Sequence, residues 1–167
     1  NQGMFVYYFG FKEEYMKVIF QKIYEDYLSK LQNYPDKNAK AVIQLQQIFY
    51  RMTKYFIDNF NTAHFLTDAL YNHKAAAYFT NYRVQHFIFV RTLIEQAQRD
   101  GDICSDMNSY EIYTTLQSIL IQPIVIKNTI LQQHKNEPLM DKLKLIDITS
   151  EASLQKRLRV AFKGLRP

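Results

Sequence analysis

Gly3-Met4-Phe5-Val6-Tyr7-Tyr8-Phe9-Gly10-Phe11-Lys12-Glu13-Glu14-Tyr15 is the stretch on which the reading of this chain turns. An aromatic run breaks at Gly10, and Lys12-Glu13-Glu14 then opens a helix. Two acids in a first turn suit the positive end of a helix dipole. Beyond them Met16, Ile19, Phe20, Ile23, Tyr27, Leu28 and Leu31 recur at spacings of three and four, which is one helical face. The spacing predicts a helix over Lys12 to Gln32. Asn33-Tyr34-Pro35-Asp36 ends it, because the residue before a proline avoids helical angles.

The same logic carries along the rest of the chain. A second helix is expected over Asp36 to Asn59, with Asp36 as N-cap and a stripe of Val42, Leu45, Phe49, Met52 and Phe56 flanked by Ile48 and Tyr55. A short third helix fits Thr62 to Tyr71, and Asn72-His73-Lys74 breaks the pattern. A fourth runs over Ala75 to Arg99 on Phe79, Tyr82, His86, Phe89, Val90, Leu93 and Ala97. Gly101 can take the left-handed conformation that closes it. A fifth starts near Ser109 and reaches Gln133, with Pro123 kinking it by clashing with the carbonyl of Ile119. Ile112, Tyr113, Leu116, Ile119, Leu120, Ile121, Ile124, Val125 and Ile126 make it apolar on most of its circumference, so it is buried on most sides. In a chain of this size that points to a subunit interface as well as a core. Leu139 to Ile148 reads equally as a helical turn or two, or as a loop. The last helix fits Ser150 to Lys163, with Ser150 as N-cap, a stripe of Leu154, Leu158, Ala161, Phe162 and Leu165, and Gly164 at its end.

Bulk composition agrees with an all-α chain. Gly and Pro number only four each in 167 residues, so few tight turns are available and a few long helices are favoured over many short strands. Thirteen Tyr and twelve Phe, with no Trp, give a core that can line a cavity while keeping polar tips. A net charge of +5 is compatible with nucleic acid without demanding it. The single Cys104 excludes an internal disulfide framework, and a cytoplasmic location is expected. No apolar run reaches the length of a membrane span, so no membrane partner is expected.

The opening run resembles the end of the DNA-binding unit in the TetR family of transcriptional regulators. In that family the recognition helix closes with a Gly, an apolar-aromatic run and a His-or-Tyr-Phe pair, followed by a short turn and Lys-Glu-Glu-Leu. Tyr8-Phe9 stands for the pair, Gly10-Phe11 for the turn and Lys12-Glu13-Glu14-Tyr15 for the helix start. Val6 departs from the usual Tyr and Tyr15 from the usual Leu. Arg99-Asp100-Gly101-Asp102-Ile103 is similar to the acidic turn that often precedes the penultimate helix there, and Gly164-Leu165 to its common ending.

The resemblance implies residues 1–11 as the remnant of an N-terminal helix-turn-helix domain, most of it upstream of Asn1, and residues 12–167 as a ligand-binding and dimerisation domain. It implies operator DNA, a small largely apolar or aromatic effector and a second copy of the chain as partners, with the regulator a repressor. Tyr8 and Lys12 are then the residues to tie to DNA phosphates, which position a protein without reading sequence. Phe49, Met52, Phe56, Phe65, Tyr82, His86, Phe89, Tyr113 and Gln117 are the candidate ligand pocket, since such sites are mostly apolar with a few placed polar groups. For each alone, ordinary core is the competing reading; His86 in particular can be a core histidine with its hydrogen bonds satisfied. His64 opens the short third helix near the implied cavity. Ile112, Leu116, Ile119, Leu120, Ile124, Leu154, Leu158 and Phe162 are the expected dimer interface.

No catalytic constellation, Gly-rich phosphate loop or His-Glu-x-x-His pattern occurs, and the four His and one Cys lack metal-ligand spacing. No enzyme activity, metal or cofactor is expected. Lys156, Arg157, Arg159, Lys163 and Arg166 at the C-terminal end read as cations complementing a helix dipole. The alternative function is a helical ligand-binding or scaffolding protein with no DNA role.

Overall fold

Helices supply all the regular structure among the described residues of this computed structural model, which are 12–32, 35–62, 73–133 and 138–167. They include α1 (Lys12–Gln32), α2 (Ala41–Asp58), α3 (His73–Arg99), α4 (Ser109–Leu120), α5 (Gln122–Gln133), α6 (Pro138–Leu145) and α7 (Glu151–Lys163). The all-α expectation is met. The helix expected over Thr62 to Tyr71 falls, beyond Thr62, outside the described residues, as do Tyr8, His64 and Phe65 and the side chains of Lys12 and Tyr82.

Phe20, Tyr24, Tyr27 and Leu31 form the buried stripe of α1, which packs on α2 and α3. α2 starts later than its sequence suggests. Asp36 accepts from the backbone N–H of Asn38 at 3.0 Å, and its own N–H donates to Gln47 Oε1 at 2.9 Å. That local turn uses Asp36 two residues downstream, the usual competition of an Asp side chain with helix, so the helix begins at Ala41 behind Lys40 without a side-chain cap.

α3 ends as expected. Gly101 has φ +73°, Asp102 N–H donates to Ala97 O at 2.9 Å and Gly101 N–H to Gln98 O at 3.0 Å. These two bonds are the Schellman pair that satisfies the last carbonyls of a helix. Gln98 Nε2 then donates to the carbonyls of Cys104 and Met107 at 2.9 and 2.8 Å, fixing the connection. α4 opens on a capping box. Asn108 accepts from the backbone N–H groups of Tyr110 and Glu111, and Glu111 accepts from the N–H of Asn108 at 2.7 Å.

The single kinked helix expected from Ser109 to Gln133 is two helices. Pro123 has no N–H, so the carbonyl of Ile119 loses its helical donor. Ile124 N–H turns instead to Ile121 O at 3.0 Å, which leaves Leu120 O without its i+4 partner. Arg157 of α7 fills that place: Nη1 donates to Leu120 O and Nη2 to Ile148 O, each at 2.6 Å. Pro123 therefore interrupts the helical bonding over a single residue, Ile121, whose backbone stays right-handed helical, and Arg157 clamps the interruption. The ambiguous segment is α6, and α7 starts behind Ser150 as its sequence indicates, with Ser150 Oγ accepting from Ser153 N–H. Gly164 ends α7 in ordinary right-handed geometry.

α4 explains its own composition. It packs against α2, α3, α5 and α7, so apolar side chains are called for around most of its circumference. Ile112, Leu116, Leu120, Ile124, Leu154, Leu158 and Phe162 are buried within the single chain, and Ile119 is half-buried. These residues serve the chain's own core. A second copy docking on α5 or α7 would meet outward residues such as Ile126 and Val160, each more than half exposed.

Candidate ligand site

His86 sits at the centre of the most unusual part of the core. It lies mid-way along α3, is only 3% exposed, and meets helices from two sides. From α4, the Tyr113 hydroxyl lies 3.1 Å from His86 Nδ1, and Gln117 one turn further along donates to that hydroxyl at 2.7 Å. From α1, the Tyr27 ring lies 5.6 Å from the His86 ring, tilted by 51°. Tyr27 in turn meets Tyr55 of α2 edge-on at 5.1 Å, Phe56 at 6.2 Å and Tyr24 at 5.9 Å. Phe87 and Phe49 flank Tyr113 at 5.3 and 6.2 Å.

The electrostatics follow from burial. Desolvation lowers His86 to about 4, so its ring is neutral at pH 7. Burial holds the Tyr27 phenol well above its ordinary range, reinforced by Tyr113, Tyr24 and Tyr55. Tyr55 is pushed up to about 12, by burial first and then by Asp26. Asp26 is also paired with Lys30 at 2.7 Å, and the Lys30 ammonium lies 5.4 Å over the Tyr55 ring. Among the described residues the rings around His86 are aromatic, and a hydrogen-bonded line runs from Gln117 through Tyr113 to His86. One of its atoms is left over: His86 Nε2 is buried without a hydrogen-bond partner.

Of the expected pocket residues, His86, Tyr113, Gln117 and Phe49 come together here, and Phe56 joins them through Tyr27. Met52 is buried in the same core and Phe89 packs against it half-buried. The sequence reading overlooked Tyr24, Tyr27, Tyr55 and Phe87. Tyr27 was visible as part of the α1 stripe, but a buried Tyr at helical spacing carries no mark that separates cage from core. Tyr24, four residues after Phe20 and three before Tyr27, sits at the same helical spacing and carries no such mark either.

An open groove of about 1190 Å³ lies elsewhere, between α2 and α7. Val42, Gln46, Tyr50, Leu158 and Phe162 line it, with Arg159, Lys163 and Arg166. None of the expected pocket residues reaches it. Asp102 lines it too, with its Oδ2 buried and without a hydrogen-bond partner. The aromatic cage around His86 gathers the expected pocket residues and also holds a buried unpartnered nitrogen, and it is the stronger candidate.

Among the described residues no cluster of His, Cys, Asp and Glu is placed to hold a metal, and no helix is long and apolar enough to cross a membrane. No family model matches this chain, and comparison with curated proteins and with solved structures finds no match.

Proposed function

We propose that this chain is the sensor and dimerisation portion of a TetR-like, ligand-responsive transcriptional repressor, and that its effector is small and largely apolar or aromatic. The observation that carries the reading is the buried line Gln117–Tyr113–His86 inside an aromatic cage one wall of which is α1. α1 begins at Lys12, directly after the motif that resembles the close of a helix-turn-helix unit. An effector that fits one arrangement of Tyr27 against His86 better than another shifts the population toward it. α1 then tilts, and the recognition helices of a dimer lose the spacing matched to successive major grooves. Tyr8 and Lys12 would hold DNA phosphates, while the base-reading residues would precede Asn1. The homodimer would form through the outward faces of the last helices.

The test is DNA selection from a random-sequence pool with the protein expressed from its whole reading frame. Enrichment of an inverted repeat, with half-sites about one helical turn apart, is the expected result. Recovery of no preferred sequence overturns the regulator and leaves a helical ligand-binding protein without a DNA role.

A further inference from the structure

The direction of the hydrogen bonds around His86 defines what an effector must offer. Gln117 Nε2 is an amide nitrogen and can only donate, so the Tyr113 oxygen accepts from it at 2.7 Å. A hydroxyl that accepts becomes a stronger donor, because successive bonds polarise one another. His86 Nδ1 lies next along the line, at 3.1 Å, and accepts from the hydroxyl in the tautomer that carries its proton on Nε2. A neutral imidazole carries one N–H; with Nδ1 accepting, that proton sits on Nε2. Nε2 is the atom buried without a partner, and burial is what keeps the ring from taking a second proton.

We infer that the effector of this site is an uncharged aromatic or apolar molecule bearing a hydrogen-bond acceptor, a carbonyl or ether oxygen, which receives the Nε2–H of His86. The inference rests on the ligand-sensor reading above and narrows its ligand class. A buried donor without a partner is costly, and an acceptor that satisfies it removes that cost. A carboxylate is a poor fit, because the phenols of Tyr27 and Tyr113 beside the ring offer no positive counter-charge. A purely hydrocarbon ligand would leave Nε2–H unsatisfied. Tyr113 is the positioning residue: it touches His86 rather than the ligand and fixes which nitrogen bears the proton.

Two measurements on the 167-residue chain test this. Nitrogen-resolved imidazole NMR, with the His86 signals assigned from His86→Gln, reads the tautomer directly. Fluorine NMR then compares para-fluoroacetophenone with para-fluoroethylbenzene, which has nearly the same shape without the acceptor. The expected result is an Nε2–H tautomer and about tenfold tighter binding of the ketone. In Tyr113→Phe the preference for the ketone collapses while hydrocarbon binding, which reports an intact cage, persists. An Nδ1–H tautomer, or equal binding of the two probes, overturns the inference and leaves the ligand site standing. Binding of neither probe removes the ligand site itself, whatever the DNA selection shows.

Discussion

The two ends of the core are built from the same helices and obey different rules. The C-terminal half of α3 buries Val90, Ile94 and Ala97, and the N-terminal half of α2 buries Leu45 and Ile48; Leu31, Ile103, Leu154, Leu158 and Leu165 belong to the same aliphatic set. One turn or two further along these helices the core becomes Tyr24, Tyr27, Tyr55, His86 and Tyr113. Aliphatic burial is non-directional and stabilises by area and fit. Phenols and an imidazole bring polar tips that must each find a partner. Here one of them, His86 Nε2, does not. On the function proposed above, the aliphatic end supplies stability and the aromatic end selectivity.

The largest effect expected of that division is at Ile94, which is fully buried. Ile94→Ala removes three carbons from a packed interior and should cost about 3–4 kcal/mol, read as a lowered urea midpoint at unchanged slope. Tyr27→Phe at the other end keeps the ring in its cage and removes only the hydroxyl, so its cost should stay within about 1 kcal/mol. Equal losses for the two would break the division.

Acid should act on the aromatic end first. His86 falls from an ordinary 6.5 to about 4 in the folded chain through desolvation. The unfolded chain therefore binds the extra proton more readily, and between those two values stability falls as pH falls. The rings of Tyr27 and Tyr113 face His86, and burial holds the Tyr27 phenol well above its ordinary range. The full shift corresponds to about 3 kcal/mol. His86→Leu should flatten the pH dependence of the urea midpoint between those pH values, relative to the parent. A variant curve that parallels the parent would mean that His86 is not the group that resists protonation.

A smaller effect is expected where the two ends are tied together. Arg157 donates to Leu120 O and Ile148 O and so clamps the interruption that Pro123 makes between α4 and α5. Arg157→Met keeps the apolar stem and removes both bonds, at a cost of about 2 kcal/mol. Amide exchange should quicken at the α4–α5 junction more than in α3. Uniform acceleration would show that Arg157 serves the whole fold rather than this joint.

How much of this was legible in advance depends on the kind of signal. α1, α7 and the end of α3 match their sequence patterns nearly to the residue, because apolar spacing and Gly, Ser or Pro punctuation act locally, whereas His73 and Lys74, expected as a break, lie inside α3. Asp36 misled because an Asp side chain caps a turn as readily as a helix. The interruption at Pro123 was legible, but not that an arginine from α7 satisfies the carbonyl left free beside it. The apolar surplus of α4 pointed toward a partner, but four neighbouring helices of the same chain use it. His86, Tyr113 and Gln117 were named as candidates, yet the line they form depends on how α3 and α4 face each other, which no local pattern encodes. Tyr24 and Tyr55 have no local mark that separates them from ordinary core.

The smallest predicted effect isolates the aliphatic end from the cage. Gly101 has φ +73°, and a Cβ built on it meets nothing within 4 Å. Gly101→Ala therefore adds no clash and carries only the cost of placing an L side chain in left-handed backbone, about 1 kcal/mol. The Schellman bonds to Ala97 and Gln98 should persist, with a modest drop in thermal midpoint. The His86 imidazole signals should not move, because the strain is confined to the turn that leads into Ile103. If they do move, strain at the end of α3 travels along the helix to the cage, and the two ends of the core must be treated as one coupled unit.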